Sequence, residues 1–188
     1  MKTATEILRH EHDAILNMLE ATEEVARRLG NKEGVEPRIL DDLVEFFRLF
    51  ADRCHHGKEE DLLFPLLEKK GMPRGGGPIG VMLMEHDHGR DLVRQMSEAA
   101  EFYAKGNNDA GMRWAAAAFQ YVPLLREHIA KENQVLFVMA ERMLSSDEQR
   151  TLAQAFEKVE IEKMGAGTHE RLHAMMDKLP TELHSVKR

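Results

Sequence analysis

The sequence predicts an all-α protein, an up-and-down antiparallel four-helix bundle with two short C-terminal helices. Three observations lead there. Apolar residues recur at the three- and four-residue spacing of helices, and no alternating run is long enough for a strand. Four long periodic segments are joined by short connections rich in Gly, Asn and Pro, which makes sequential helices antiparallel neighbours. A chain of 188 residues, 43% of them hydrophobic, can bury one core and is too apolar for a disordered segment. Residues 1–188 therefore read as one domain, with the bundle over about 3–144 and a helical extension over about 146–179.

The first helix is expected over residues 3–29, where Ile7, Leu8, Ile15, Leu16 and Leu19 form an apolar stripe and Gly30-Asn31 closes the run. Pro37, whose fixed φ suits a first helical turn, opens a second helix that carries Leu40, Leu43, Val44, Phe47 and Phe50 and ends near Lys70. Gly71-Met72-Pro73-Arg74-Gly75-Gly76-Gly77-Pro78 cannot be helical and forms a connection. A third helix extends to about Lys105; Gly106-Asn107-Asn108-Asp109 then supplies a stop and an N-cap for a fourth, reaching about Leu144. Ser145-Ser146-Asp147-Glu148-Gln149 reads as the capping box of a fifth. Gly165-Ala166-Gly167 ends that helix, and Thr168 caps a short sixth that stops before Pro180. Pro65 and Pro123 fall inside helical runs and predict kinks.

Charge and composition narrow the function classes. With 26 basic against 33 acidic side chains the formal net charge is −7, the wrong sign for displacing counterions from nucleic-acid phosphates. No apolar run approaches the roughly 18 residues of a membrane span, and the opening MKTATEILRHEHD is too polar for a secretory signal. A lone Cys54 rules out a disulfide framework and suits a reducing compartment. The expectation is a cytoplasmic protein that binds neither nucleic acid nor membrane, its protein partners unspecified. What stands out is a count of ten histidines.

An internal repeat sorts them. The segments His55-His56-Gly57-Lys58-Glu59-Glu60-Asp61-Leu62-Leu63-Phe64 and His128-Ile129-Ala130-Lys131-Glu132-Asn133-Gln134-Val135-Leu136-Phe137 share His, Lys, Glu, Leu and Phe at the same offsets, 73 residues apart. Glu11-His12-Asp13 and Glu85-His86-Asp87 repeat at an offset of 74. Two helix pairs therefore read as duplicated halves of one bundle. The self-comparison selects His55 with Glu59 over His56 with Glu60, whose counterparts are Ile129 and Asn133. It also selects His12 over His10, and His86 over His88, whose counterpart is Ala14. Helix phase agrees: His12 falls with Leu8, Ile15, Leu16 and Leu19, whereas His10 falls with Glu6, Asp13 and Asn17 on the wet face.

Residues four apart share a helix face, so His55 with Glu59 and His128 with Glu132 each present an imidazole beside a carboxylate. Both pairs continue apolar stripes and should point inward. Two unpaired buried carboxylates would cost several kcal/mol or take up protons, and a bound cation removes that difficulty. Four imidazoles and two carboxylates suit two first-row metal ions bridged by the carboxylates, with iron, manganese or zinc favoured over magnesium or calcium. On this register Glu59→Ala and Glu132→Ala are expected to lose metal, and Glu60→Ala to keep it.

These elements, Glu11-His12, residues 55–65, Glu85-His86 and residues 128–137, resemble the hemerythrin-like (HHE cation-binding) family of non-haem di-iron proteins. The resemblance runs from the first helix to the fourth. It implies a hemerythrin-like bundle and a di-iron centre with ligands at His12, His55, Glu59, His86, His128 and Glu132, zinc or manganese being possible substitutes. It further implies a small ligand such as dioxygen, nitric oxide or peroxide, bound for sensing, storage or detoxification. A di-iron enzyme acting on peroxide or nitric oxide is the alternative, and a metal-free helical interaction module a further one.

Two departures from the family pattern matter. Oxygen-carrying members have a second His four residues after the third-helix ligand, where this chain has Arg90. His56 either adds a ligand, as the residue after the second-helix His does in some members, or is a solvated neighbour of Glu60. The second departure is the extension. Thr168-His169-Glu170-Arg171-Leu172-His173 spells the His-Glu-x-x-His of zinc proteases without a third ligand at a known spacing. His169 or His173 either joins the centre, as a ligand or an outer partner, or lies on the surface. Among the remaining candidates, Tyr121 either meets a bound ligand or packs in the core, and Glu11 and Glu85 either support the ligands or solvate their helices. Cys54 reads as a small buried hydrophobe, and His10, His88 and His184 as surface residues.

Overall fold

The computed structural model describes residues 2–164 and 167–185. Six helices and no strand occur among them, in the order expected. Helix α1 is Ala4–Gly30. Helix α2 is one continuous run made of Pro37–Phe46, the π-helical stretches Phe47–His56 and Glu59–Leu63, and Phe64–Lys69. Helix α3 is Pro78–Ala104. Helix α4 comprises Asn108–Lys131, a π turn Glu132–Leu136, and Phe137–Met143. Ser146–Met164 is α5 and Thr168–Ser185 is α6.

Local chemistry sets the helix ends. Thr3 and Glu6 form a capping box at the start of α1, with the Glu6 N–H donating to Thr3 Oγ1 at 3.3 Å and the Thr3 N–H to Glu6 Oε2 at 2.7 Å. Ser145 and Glu148 do the same ahead of α5, at 2.9 and 3.3 Å. Gly106, at φ +87°, ends α3 in the left-handed conformation that glycine adopts without strain, and Asn107 caps α4 by accepting from the Ala110 N–H. Gly80 is required for a different reason: a Cβ there would lie 2.7 Å from the Arg74 carbonyl oxygen, so the 71–77 connection could not fold back on α3.

The antiparallel order α1–α4 encloses two apolar clusters. One holds Ile15, Val25, Phe46, Phe47, Met96, Trp114 and Leu125. The other holds Leu8, Leu63, Phe64, Met82, Leu136 and Phe137. His12, His55, His56, Glu59, His86, His128 and Glu132 fall between them, on α1 to α4, and form a buried polar layer across the bundle. The C-terminal arm, α5 and α6, packs along α1 and α2. Phe156 of α5 joins the second cluster, and Leu172, Leu179 and Leu183 of α6 join the first. Gln149 of α5 caps α1 by accepting from the Ala4 N–H at 3.1 Å.

One expectation is corrected. Helix α6 does not stop before Pro180 but runs on to Ser185. The prolines do not mark the irregular turns: Pro123 lies inside the α-helical stretch Asn108–Lys131, and Pro65 follows a π turn whose sister, Glu132–Leu136, has no proline. The departures from α geometry sit at the candidate ligands instead.

Candidate metal centre

Each half presents its residues in the same way. His12 on α1 and His86 on α3 continue the apolar stripes between the two clusters. His55 and His128 lie one helical turn before Glu59 and Glu132. At each glutamate the helix opens into a π turn: the Phe64 N–H donates to the Glu59 carbonyl, and the Phe137 N–H to the Glu132 carbonyl, five residues back. A π turn inserts one residue into the helical register, a distortion common at functional sites. The repeated phenylalanines then cross over. Phe137 stacks on His12 with ring centroids 5.4 Å apart, and Phe64 on His86 at 6.1 Å.

The side chains meet in two groups. His12 Nε2 lies 3.0 Å from His55 Nε2, and His86 Nε2 lies 3.1 Å from His128 Nε2. The glutamates span the two groups. Glu132 approaches His12 at 3.1 Å with Oε2 and His128 at 3.3 Å with Oε1; Glu59 approaches His55 at 3.6 Å with Oε1 and His86 at 3.5 Å with Oε2. Among the described residues, His12, His55, Glu59 and Glu132 form one set with ligand atoms within 4.8 Å of one another, and His56, Glu59, His86 and His128 form another.

Hydrogen bonding on the far side of each ring fixes its tautomer. His55 Nδ1 faces Glu11 Oε2 at 2.9 Å, His128 Nδ1 faces Glu85 Oε2 at 3.0 Å, His86 Nδ1 faces Glu60 Oε1 at 2.7 Å, and His12 Nδ1 faces Asn133 Oδ1 at 2.9 Å. Carboxylate and carboxamide oxygens only accept, so each Nδ1 carries the proton and each Nε2 is a bare lone pair. The close Nε2 pairs therefore have no proton to share. All four carboxylate oxygens of Glu59 and Glu132 are buried without a hydrogen-bond partner. Burial, reinforced by the Glu132 charge, pushes the Glu59 carboxyl well above the usual range, and burial holds His55 and His56 well below theirs. A cluster of inward lone pairs and unpaired carboxylates fits first-row metal cations, which supply the missing positive charge.

Around the cluster stands a shell that sequence reasoning saw only in part. Glu11 and Glu85 support the ligands, each serving the imidazole on the next helix rather than its own neighbour. Lys58 and Lys131 hold the second oxygens of these carboxylates. Glu60 and Asn133 are the missed pair: they occupy equivalent positions in the repeat and orient His86 and His12. Glu60 is half-buried and faces His86 Nδ1, a role that the repeat did not disclose. Burial would raise its pKa, but hydrogen bonds with His86 and with Arg90, the latter at 2.6 Å, hold it below the ordinary range.

His56 is not a solvated neighbour of Glu60. It is 4% exposed, stacks on His86 at 3.8 Å, and has Asp52 3.5 Å from its Nδ1. Arg90 donates to the same Asp52 oxygen at 2.7 Å. Tyr121 is buried edge-on against Phe47 and, with His56, lines a cavity of about 440 Å³. Cys54 is buried, and burial pushes its thiol up to about 12, which leaves little thiolate. His10 and His88 are exposed, as expected. The side chains of His169, His173 and His184 lie outside the described residues.

Comparison with known proteins points the same way. A family model described as the hemerythrin HHE cation binding domain matches residues 3–140. An uncharacterized protein of Mycobacterium bovis is 28% identical over 163 residues, which cover 87% of this chain and 63% of that protein. The iron-sulfur cluster repair protein YtfE of Salmonella schwarzengrund is 38% identical over 111 residues, 56% of this chain and 50% of the relative. The chain thus spans less than two thirds of the length of either relative.

Proposed function

The chain belongs to the hemerythrin HHE cation-binding family, and from that premise we propose that it is a non-haem di-iron protein that binds a small ligand such as dioxygen, nitric oxide or peroxide for sensing, storage or detoxification. The observation that carries this reading is the pair of buried, unpartnered carboxylates, Glu59 and Glu132, each reaching from one imidazole pair to the other. His12 and His55 would hold one ion, and His86 and His128, with His56, the other. Zinc or manganese could occupy the same ligands. Iron held by these residues would supply redox-active, Lewis-acidic positions for a small ligand.

The chain's own residues make the two ends unequal. The repeat counterpart of His56 is Ile129, a buried core residue. The His12 and His55 end would therefore offer an ion one imidazole fewer and leave it more room for a small ligand. A metal-free helical module is disfavoured, because it would leave two glutamate side chains buried without hydrogen-bond partners. Participation in iron–sulfur cluster repair is a second reading, supported by the Salmonella relative named for it. No helix among the described residues is long and apolar enough to cross a membrane, and a cytoplasmic location, suggested by the single reduced thiol, forms part of the proposal.

Anaerobic loading with iron(II) is expected to give about two irons per chain, with a visible charge-transfer band after exposure to oxygen. Failure to take up iron would overturn the reading. Peroxide turnover by loaded protein, absent from His128→Ala, would make the protein an enzyme rather than a binder.

A further inference from the structure

The C-terminal arm reaches one end of the centre through a chain of charged groups. Lys58 is 0% exposed and lies between Glu11 of α1 and Glu160 of α5. Its ammonium donates to Glu11 Oε1 and, at 2.5 Å, to Glu160 Oε1. The other oxygen of Glu11 accepts from His55 Nδ1 at 2.9 Å. Phe156, one turn before Glu160 on the same helix, places its ring centroid 5.7 Å from the Lys58 nitrogen. Among the described residues the second half has no such connection. Lys131 is 41% exposed at its side chain, and its ion pair among the described residues is with Glu85 alone.

A buried ammonium must be balanced by nearby anions. With Glu11 as its sole partner, Lys58 would draw that carboxylate's charge away from His55. A second carboxylate at Glu160 shares the ammonium and leaves Glu11 able to orient and polarise the ring. Partners of this kind raise the basicity of a ligating imidazole and fix its direction.

We propose that Glu160 is a positioning residue of the metal centre, acting through Lys58 and Glu11 on His55, so that docking of α5 and metal binding at the His12/His55 end are coupled. This rests on the metal-centre reading given above. Linkage makes the coupling reciprocal: the factor by which the docked arm tightens metal binding is the factor by which metal tightens the arm. Occupancy of a buried centre thereby becomes a change at the protein surface.

The test uses the full chain titrated with cobalt(II) against a competing chelator, the visible ligand-field spectrum, and hydrogen exchange of Ser146–Met164 with and without the metal. Glu160→Gln is expected to weaken one of the two equivalents roughly 3- to 10-fold, less than removal of a direct partner would, and to shift its ligand-field band. In the wild type cobalt should slow exchange in α5, and in Glu160→Gln that response should shrink. Asp61→Asn is the control. It breaks another α5–α2 ion pair, Lys163 to Asp61 at 2.8 Å, which does not lead to His55, and it should titrate as wild type. A Glu160→Gln variant with unchanged affinity and spectrum overturns the proposal, as does an equal loss in Asp61→Asn. A wild-type chain that binds no cobalt overturns the metal-centre reading itself.

Discussion

Set side by side, α1–α2 and α3–α4 are two copies of one device with different surroundings. Each contributes an inward imidazole, a His-x-x-x-Glu pair at a π turn, an outer glutamate backed by lysine, and a phenylalanine that stacks across to the other half. The copies then diverge. His86 leans on the charged Glu60, whereas His12 leans on the neutral Asn133. His56 crowds the second end, and its counterpart at the first is Ile129. Glu11 and Glu85 are almost equally exposed, at 11% and 12% of their side chains, yet burial raises the pKa of Glu11 against the pull of Lys58, while for Glu85 hydrogen bonds with His128 and Lys131 outweigh burial and lower it. The candidate ligands are duplicated, while the neighbours that would set the affinity and reactivity of a bound cation differ between the halves.

The largest expected effect breaks both halves together. Because each glutamate spans the two imidazole pairs, Glu59→Met and Glu132→Met should each lose most metal from both ends, not from one. Glu59→Met should also stabilise the metal-free chain, because burial pushes that carboxyl well above its usual range, whereas Glu132→Met should not, because His128 and His12 hold its carboxyl down to about 2 against burial. Chelator titration together with denaturant melts of the metal-free variants checks both signs. A variant that loses one equivalent and keeps the other tightly would refute bridging.

Next comes the inequality of the ends. Ile129→His would supply the missing imidazole at the His12/His55 end. Two metal equivalents should be retained, while affinity for azide or nitric oxide falls, since the added imidazole would take a position that those ligands need. Unchanged azide binding would place the open position elsewhere. His56→Ala should have the reverse character, weakening the metal at the second end and admitting azide there.

How much of this the sequence disclosed follows from what a repeat can encode. Helix phase and capping residues are local, so the six helices, the Ser145 box and the inward face of His12 were legible. The offsets of 73 and 74 singled out His55 over His56 as the paired residue, and Glu59 over Glu60. The repeat could not reveal relations that cross between halves. Glu60 differs from Asn133 in type, and that mismatch pointed away from a role; yet both residues perform the same task for an imidazole on another helix. The π turns were hidden as well, because no propensity separates an α from a π turn at Glu59 or Glu132. Pro65, which suggested a kink, lies beside only one of them. The arm's contact with Lys58 was equally out of reach, since it depends on how α5 docks.

The smallest expected effect separates the two imidazole supports. Glu60→Gln keeps a hydrogen-bond acceptor for His86 but removes its charge and one anion from Arg90. The metal at the second end should weaken about tenfold, the lower edge of what loss of an outer partner costs. Asn133→Asp is the mirror experiment: it gives His12 a charged acceptor at the position equivalent to Glu60, and the metal at the first end should tighten by a few-fold. Cobalt titration resolves the two equivalents, so the variants should move opposite steps in opposite directions. Movement of both steps by one variant would mean that the outer partners act on the bridged pair as a unit. In that case the difference between Glu60 and Asn133 would tune the whole centre, and the inequality of the ends would rest on His56 and Ile129 alone.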